Sequence, residues 1–167
     1  MGGGGGGRGP SRDDLSRLEE LARKSLREGA EPLKCNVFIS FVSEDINDVN
    51  LLRGQAKNES SDIEFNDWSL REPFDSKRAE YIKRGIRDRI ERSSVTLVYV
   101  SEHTADSKWV DWEIRESVRM GKGVIAVHKG ELPPQKLPNA LKELKTPLIR
   151  WTQKGIAAVI EKASKKR

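Results

Sequence analysis

The period of the apolar positions changes several times along the chain, and each change marks an expected element. The first repeat is helical: Leu15, Leu18, Ala22 and Leu26 fall at i, i+3, i+7 and i+11 and make one stripe. Pro10 and Ser11 precede it. Ser11 is placed to cap free amides, and Asp13 and Asp14 stand where a helix dipole favours negative charge. Gly29 is the expected stop. The pattern then shortens to strand length. The run 35–42 holds Val37, Phe38, Ile39 and Phe41, and a helical segment follows near 46–57. Ile63-Glu64-Phe65 is a short alternating strand, and 67–75, with Pro73 inside, reads as a loop. Ser76 is the expected cap of a helix reaching about Arg92, with Ala79, Ile82, Ile86 and Ile90 as its buried stripe.

Val95-Thr96-Leu97-Val98-Tyr99-Val100 is the clearest strand, apolar enough to be covered on both faces. A helix follows from about Lys108 to Met120, closed by Gly121. Val124 to Val127 is a fourth strand, 129–139 with Pro133, Pro134 and Pro138 a long loop, Leu148-Ile149 a last strand and 152–164 a terminal helix. Strands alternating with helices predict an α/β fold with a parallel sheet covered on both faces. The expected strands lie near 35–41, 62–66, 94–100, 123–128 and 147–150. The expected order is 2-1-3-4-5, that of a flavodoxin-like three-layer sandwich. In that order the ligand crevice opens at the C-terminal ends of strands 1 and 3. Attention therefore falls on Ser40–Asp45 and Ser101–Glu113.

Composition narrows this picture without redirecting it. The chain has 167 residues, the size of one domain with short extensions. The expected division is a flexible Gly-rich tail over 1–10, an amphipathic helix and linker over 11–33, the domain over 34–151, and a helix with a basic tail over 152–167. Cys35 is the single cysteine and His103 and His128 the only histidines, which leaves no disulfide framework and no expected metal site. No run approaches transmembrane length, and the glycines after Met1 form no signal peptide. A reducing, cytoplasmic home and no membrane partner are expected. The net charge of +5 sits mostly in the C-terminal tail, where 152–167 carry five basic residues and one acidic one. No basic stripe with interleaved aromatics accompanies it, so no specific nucleic-acid partner is expected.

The crevice residues exclude several uses of such a fold. The first turn, Ser40-Phe41-Val42-Ser43-Glu44-Asp45, has no glycine and cannot bring backbone amides to a pyrophosphate as G-x-G-x-x-G does. It carries two acids where flavodoxins cradle a flavin phosphate. A phospho-receiver would need an acceptor Asp after strand 3 and a Lys after strand 5, where Ser101-Glu102 and Arg150 stand.

Three segments together point elsewhere. Val37-Phe38-Ile39-Ser40-Phe41 followed by Glu44-Asp45 resembles the first box of TIR domains. Ser101-x-His103-Thr104-x-x-Ser107-x-Trp109-Val110-x-x-Glu113 resembles that family's S-x-x-Y-x-x-S-x-W-C-x-x-E segment, with Thr104 in place of an aromatic and Val110 in place of Cys. The stretch Phe65 to Phe74 is similar to the loop region of the TIR-like proteins of Thoeris antiphage defence. The resemblance covers about 34–151. It implies an enzyme that cleaves the nicotinamide–ribose bond of NAD+, as substrate rather than cofactor, and gives linear or cyclic ADP-ribose as a signal to a downstream effector. It also implies homo-oligomers through TIR–TIR contacts. A second implied reading is a non-catalytic TIR-like interaction module, which the N-terminal helix would serve.

The family's glutamate maps onto Glu113. On the helix, Val110, Ile114, Ser117, Val118 and Gly121 share one arc, with Glu113 at its edge beside Trp109. Breaking an N-glycosidic bond builds an oxocarbenium-like ribose that nearby negative charge stabilises. Nicotinamide leaves readily, so one carboxylate suffices. The plain alternative is a surface glutamate paired with Arg115. Around Glu113, the expected substrate contacts are Ser40, Phe41, Asp45, Asp67, Ser107 and Trp109, each with an ordinary structural use as well. Phe41 could be core, Asp45 and Ser107 helix caps, Asp67 a turn residue and Trp109 packing. Trp68 and Trp151 read as packing, Cys35 as a small buried residue and His103 as a solvated loop residue.

Overall fold

The computed structural model describes residues 9, 11–29, 35–66, 73–152 and 155–165. They fall into two compact units, 1–33 and 34–167. The first holds α1 (Arg12–Gly29). Its start is a reciprocal cap: the Ser11 hydroxyl accepts from the Asp14 N–H at 3.2 Å, and the Asp14 carboxylate accepts from the Ser11 N–H at 3.1 Å. Leu15 and Leu18 are exposed. Leu26 lies outside the residues whose side chains are described.

The second unit contains β1 (Cys35–Ser40), a 3₁₀ turn (Ser43–Asp45), α2 (Ile46–Glu59), β2 (Ile63–Asn66), α3 (Ala79–Glu91), β3 (Val95–Tyr99), α4 (Lys108–Arg119), β4 (Gly123–His128), α5 (Asn139–Leu144), β5 (Leu148–Arg150) and α6 (Ile156–Lys165). The five strands form one sheet in the order β2-β1-β3-β4-β5, and every pairing is parallel. The expected sheet is thus the observed one. Successive side chains on a strand point to opposite faces, and the core divides accordingly. Val37, Ile39, Val95, Leu97, Ile125 and Val127 pack with α2 and α6. Phe38 packs with Ile82, Ile86 and Ile90 of α3, and Val98, Val100 and Ala126 pack with Val110 and Ile114 of α4. Val95 to Val100 are all buried, as a central strand covered on both faces requires.

Two glycines are required where they stand. Gly121 adopts φ +73° just beyond α4, a conformation that L side chains rarely take. At Gly123, a Cβ would lie 3.1 Å from the Ala163 carbonyl oxygen, because α6 crosses the start of β4 there. The N-terminus of α6 is held by Glu59, whose carboxylate accepts from the N–H groups of Gly155 at 2.9 Å and Ala157 at 3.2 Å. Burial nudges the Glu59 carboxyl upward. Hydrogen bonds from the Gln55 amide and from the Ala157, Gly155 and Ile156 N–H groups outweigh it and hold the carboxyl below its ordinary value.

Some local expectations fail for local reasons. Ser76 is not the cap of α3. The helix begins at Ala79 after two turns, and its N-cap, Arg78, makes no side-chain cap bond. The segment after the proline-rich loop holds a six-residue helix, α5, too short to show a period. It is fixed by burial of Ala140 and Leu141 and by the Ala140 N–H donating to Asp111 at 2.8 Å. Cys35 is buried and free, and Trp151 packs on the core with its indole N–H donating to Gln55 at 2.9 Å. Trp68 lies outside the described residues.

Candidate functional site

The order of strands reverses between β1 and β3, so the connections after them leave in opposite directions and open a crevice at their C-terminal ends. Ser40 closes β1. It shares a face with Phe38 and points toward α4. The helix is started by Ser107, whose hydroxyl accepts from the Val110 N–H at 3.2 Å. From that start, Val110, Glu113, Ile114 and Ser117 form the buried face.

Glu113 therefore sits deeper than its sequence spacing suggests. It is 8% exposed, whereas Val118 is 41% exposed. The buried arc centres on Val110 and Ser117. Glu113 lies about 50° to one side and Val118 about 90° to the other. The Ser40 hydroxyl donates to a Glu113 carboxylate oxygen in a short bond. The surface pairing with Arg115 is not what forms: Arg115 bonds Asp111 at 2.8 Å and Glu143 at 2.7 Å.

Trp109, one turn before Glu113, is half-buried in an aromatic group. Its ring meets Phe74 edge-on at 4.9 Å and Trp112 at 6.0 Å. The Lys83 ammonium lies 4.4 Å from the Phe74 ring, and the Arg87 guanidinium 5.3 Å from that of Trp112. These contacts stiffen the wall on which Trp109 stands. Ser107, Asp111, Trp112 and Arg115 border a small concavity of about 320 Å³ beside it.

Across the sheet edge lies a second polar group. Asp45 is at the N-cap position of α2 but makes no side-chain cap bond; its carboxylate accepts instead from the Ser101 hydroxyl at 2.6 Å. It is 7% exposed. Burial raises its carboxyl above the ordinary value, with the Ser101 hydrogen bond and the His103 charge pulling the other way. The buried Thr104 hydroxyl accepts from the Ser101 N–H at 2.8 Å, so the loop after β3 is fixed where it meets Asp45. Beyond it, Asp48 accepts from the Tyr99 hydroxyl at 3.2 Å and from Lys129 at 2.8 Å. These residues border a groove of about 1130 Å³ together with Ser101, Glu102 and Pro133. Glu113 is not among the residues lining it.

Of the residues singled out from sequence, Ser40 and Glu113 are joined directly, and Trp109 and Ser107 stand on or just before the same helix. Phe41 is a correction. It is 4% exposed in the core with Val49 and Leu52, beneath the Arg53 guanidinium at 5.7 Å. The cause is the strand period: neighbours on a strand point to opposite faces, so Ser40 and Phe41 cannot line one wall. Asp67 lies outside the described residues. His103 is exposed, as a loop histidine is expected to be. The sequence reading missed the Asp45–Ser101 pair and the Asp48–Tyr99–Lys129 group. Ser101 opens the second TIR-like segment and was the available signal. Among the described residues, no group of three metal-ligating side chains occurs, and no helix is long and apolar enough to cross a membrane.

A doubly wound five-stranded domain with a buried glutamate on the helix after its third strand is the arrangement of a TIR-like domain. The family model for the TIR-like domain of the Thoeris protein ThsB matches residues 38–133, and the chain belongs to that family. A Bacillus cereus (strain MSX-D12) protein named "Putative cyclic ADP-D-ribose synthase ThsB1" is 35% identical over 96 residues. The match covers 55% of this chain and 50% of that protein, so the chain aligns with about half the length of its curated relative. A solved structure of the TIR domains of the activated Roq1 resistosome, which directly recognises the pathogen effector XopQ, matches over 77% of this chain and 69% of its own. The identity there is 19% and the TM-score 0.45.

Proposed function

We propose that this chain cleaves the bond between nicotinamide and ribose in NAD+ and releases a linear or cyclic ADP-ribose as a signal in antiphage defence. The observation that carries the reading is the Glu113 carboxylate, buried on α4 and held by Ser40 at the reversal point of the sheet. In the reaction the C1′–N bond breaks heterolytically. Its electron pair goes to the pyridinium nitrogen, so nicotinamide departs neutral and needs no proton. The ribose carbon becomes oxocarbenium-like, and the Glu113 negative charge stabilises it. Water then adds and loses a proton to give the linear product, or a nucleophile of the same ADP-ribose adds to give a cyclic one. NAD+ is the substrate, and no further cofactor enters.

Trp109 is suited to wall the nicotinamide, and Ser107 and Asp45 to contact the remainder of the dinucleotide. The name of the Bacillus relative supports the same class of chemistry. The test is incubation of the pure protein with NAD+, with free nicotinamide and nucleotide products separated by chromatography. Nicotinamide release that is lost in Glu113→Gln is the expected result. Equal release by both proteins would end the assignment of Glu113.

A second reading, an interaction module, has the exposed Leu15 and Leu18 of α1 behind it. Removing residues 1–29 and measuring mass in solution tests it. An unchanged mass would leave that stripe without an assembly role.

A further inference from the structure

Beneath α4, a polar seam crosses an otherwise apolar interface. Thr96 of β3 and Ser117 of α4 are fully buried, on the strand face that carries Val98 and the helix face that carries Val110 and Ile114. The Ser117 hydroxyl donates to the main-chain carbonyl of Glu113 at 2.8 Å. A hydroxyl has one proton, so the 2.7 Å contact between Thr96 and Ser117 has Thr96 as donor. The chain of bonds is directed, from Thr96 to Ser117 to the Glu113 carbonyl.

Neither packing nor helix propensity selects these hydroxyls. Valine at 96 and alanine at 117 would fill the space, bury no polar atom and suit strand and helix better. A serine bonding back one turn slightly weakens and bends a helix. The seam instead fixes the turn of α4 that carries the carboxylate. Thr96 pairs with Phe38 and Val98 with Ser40, so Thr96 stands one same-face step behind Ser40 on the neighbouring strand. β3 reaches the Glu113 main chain through Ser117, and β1 reaches its side chain directly.

We propose that Thr96 and Ser117 are positioning residues, whose hydroxyl chain to the Glu113 carbonyl sets where the Glu113 carboxylate stands. This rests on the reading of Glu113 as the group that acts on NAD+. The test compares Thr96→Val, Ser117→Ala and their double variant with Thr96→Ser. Val keeps the shape of Thr and loses the hydroxyl; Ser keeps the hydroxyl and loses a methyl.

In the double variant both partners become apolar, so melting should stay within about 3 °C of wild type. Its kcat for nicotinamide release should fall about tenfold, the order expected when a reacting group is displaced by a fraction of an ångström. KM should change by less than about twofold. Thr96→Ser should keep kcat within about twofold while melting lower, because a buried methyl is gone. Activity then follows the hydroxyl and stability follows the methyl. Wild-type kcat in the double variant, or kcat tracking melting temperature through the whole series, overturns the proposal.

A second readout separates this from the functional reading. The ¹³C shift of the Glu113 carboxyl should move in the double variant and stay in Thr96→Ser, whether or not the protein turns over NAD+. If wild type releases no nicotinamide, the functional reading fails alone. If the carboxyl signal does not move, the positioning role fails.

Discussion

Ser40 and Phe41 are adjacent in the chain and end on opposite faces of the sheet, and the two faces use polar groups differently. On the α4 side a carboxylate is driven into the interior and met there by the Ser40 hydroxyl, while the Ser117 hydroxyl holds the main-chain carbonyl of the same residue. On the α2 side Asp45, as buried as Glu113, bonds a loop serine, Ser101, and Asp48 at the rim pairs with Lys129 beside an open groove. Burial of a charged group costs stability unless its partners are in place. A buried, partnered carboxylate is thus a site where stability has been traded for position, and a rim ion pair is ordinary surface chemistry. The proposed chemistry therefore belongs to the α4 face, and on the other face the Asp45–Ser101 bond ties the loop after β3 to the start of α2.

The strongest way to break it is Glu113→Gln. The change keeps size and hydrogen-bonding reach and removes the charge. Turnover of NAD+ should fall about 10²–10³-fold, as when one electrostatic contact to a transition state is lost. Binding should weaken less than turnover. Glu102→Gln, at an exposed position lining the other groove, should retain activity. If Glu102→Gln is the damaging change, the faces have been assigned the wrong way round.

Next in size is the pair of neighbours. Ser40→Ala removes the donor to Glu113 and should lower kcat about tenfold. Phe41→Leu removes part of a ring from the α2 core. It should cost about 1–2 kcal/mol, read as a lower denaturant midpoint, with kcat unchanged. A loss of activity in Phe41→Leu at full folding would return that ring to the site.

How far these faces could be read from sequence depends on the range of the interactions that form them. Val95–Val100 announces itself because a central strand must be apolar on both sides, and the order of strands follows from the alternation of strands and helices. Ser40 and Glu113 lie in recognisable segments, yet their contact spans 73 positions and needs the strand order to be known. Spacing puts Glu113 at the edge of a helical arc and the structure puts it inside, since spacing gives the periodicity of a face and packing decides its centre. Phe41 was placed by the end of its strand rather than by the parity of its position. Asp45 reads as a cap because most aspartates before helices are caps. Its partner Ser101 comes from another loop, held by the Thr104 hydroxyl, and no local pattern encodes that. The helix α5 falls below the length at which a period exists.

A smaller effect tests the stability side of the comparison at the far end of α2, away from Asp45. Glu59→Gln leaves the N-terminus of α6 with a neutral partner. Since the Glu59 carboxyl is held below its ordinary value, its contribution is present above the ordinary Glu range and lost as pH falls through the lowered value. At pH 7 the variant should lose about 1 kcal/mol, as for a helix cap. The gap to wild type should close in acid. A constant gap from pH 7 to pH 3 would mean that shape rather than charge makes the cap.

The smallest effect has the opposite sign and concerns Asp45. Its carboxyl lies above the ordinary Asp value because burial disfavours the charge, against the Ser101 hydrogen bond and the His103 charge, with Asp48 and Glu44 adding to the upward push. For an acid raised in the folded state, the stabilising contribution is fully present below the ordinary Asp range. It is lost as pH rises through the raised value. Wherever Asp45 is ionised it therefore carries a net cost. Asp45→Asn keeps an oxygen to accept from Ser101 and never ionises. Its melting temperature should equal or slightly exceed that of wild type at pH 7, and on acidification the wild type should gain on it. Nicotinamide release should survive better than in Glu113→Gln, because the charge proposed to act on NAD+ is on the other face. If wild type instead leads at pH 7 and loses the lead in acid, the Asp45 charge is stabilising and its partners outweigh the cost of its burial.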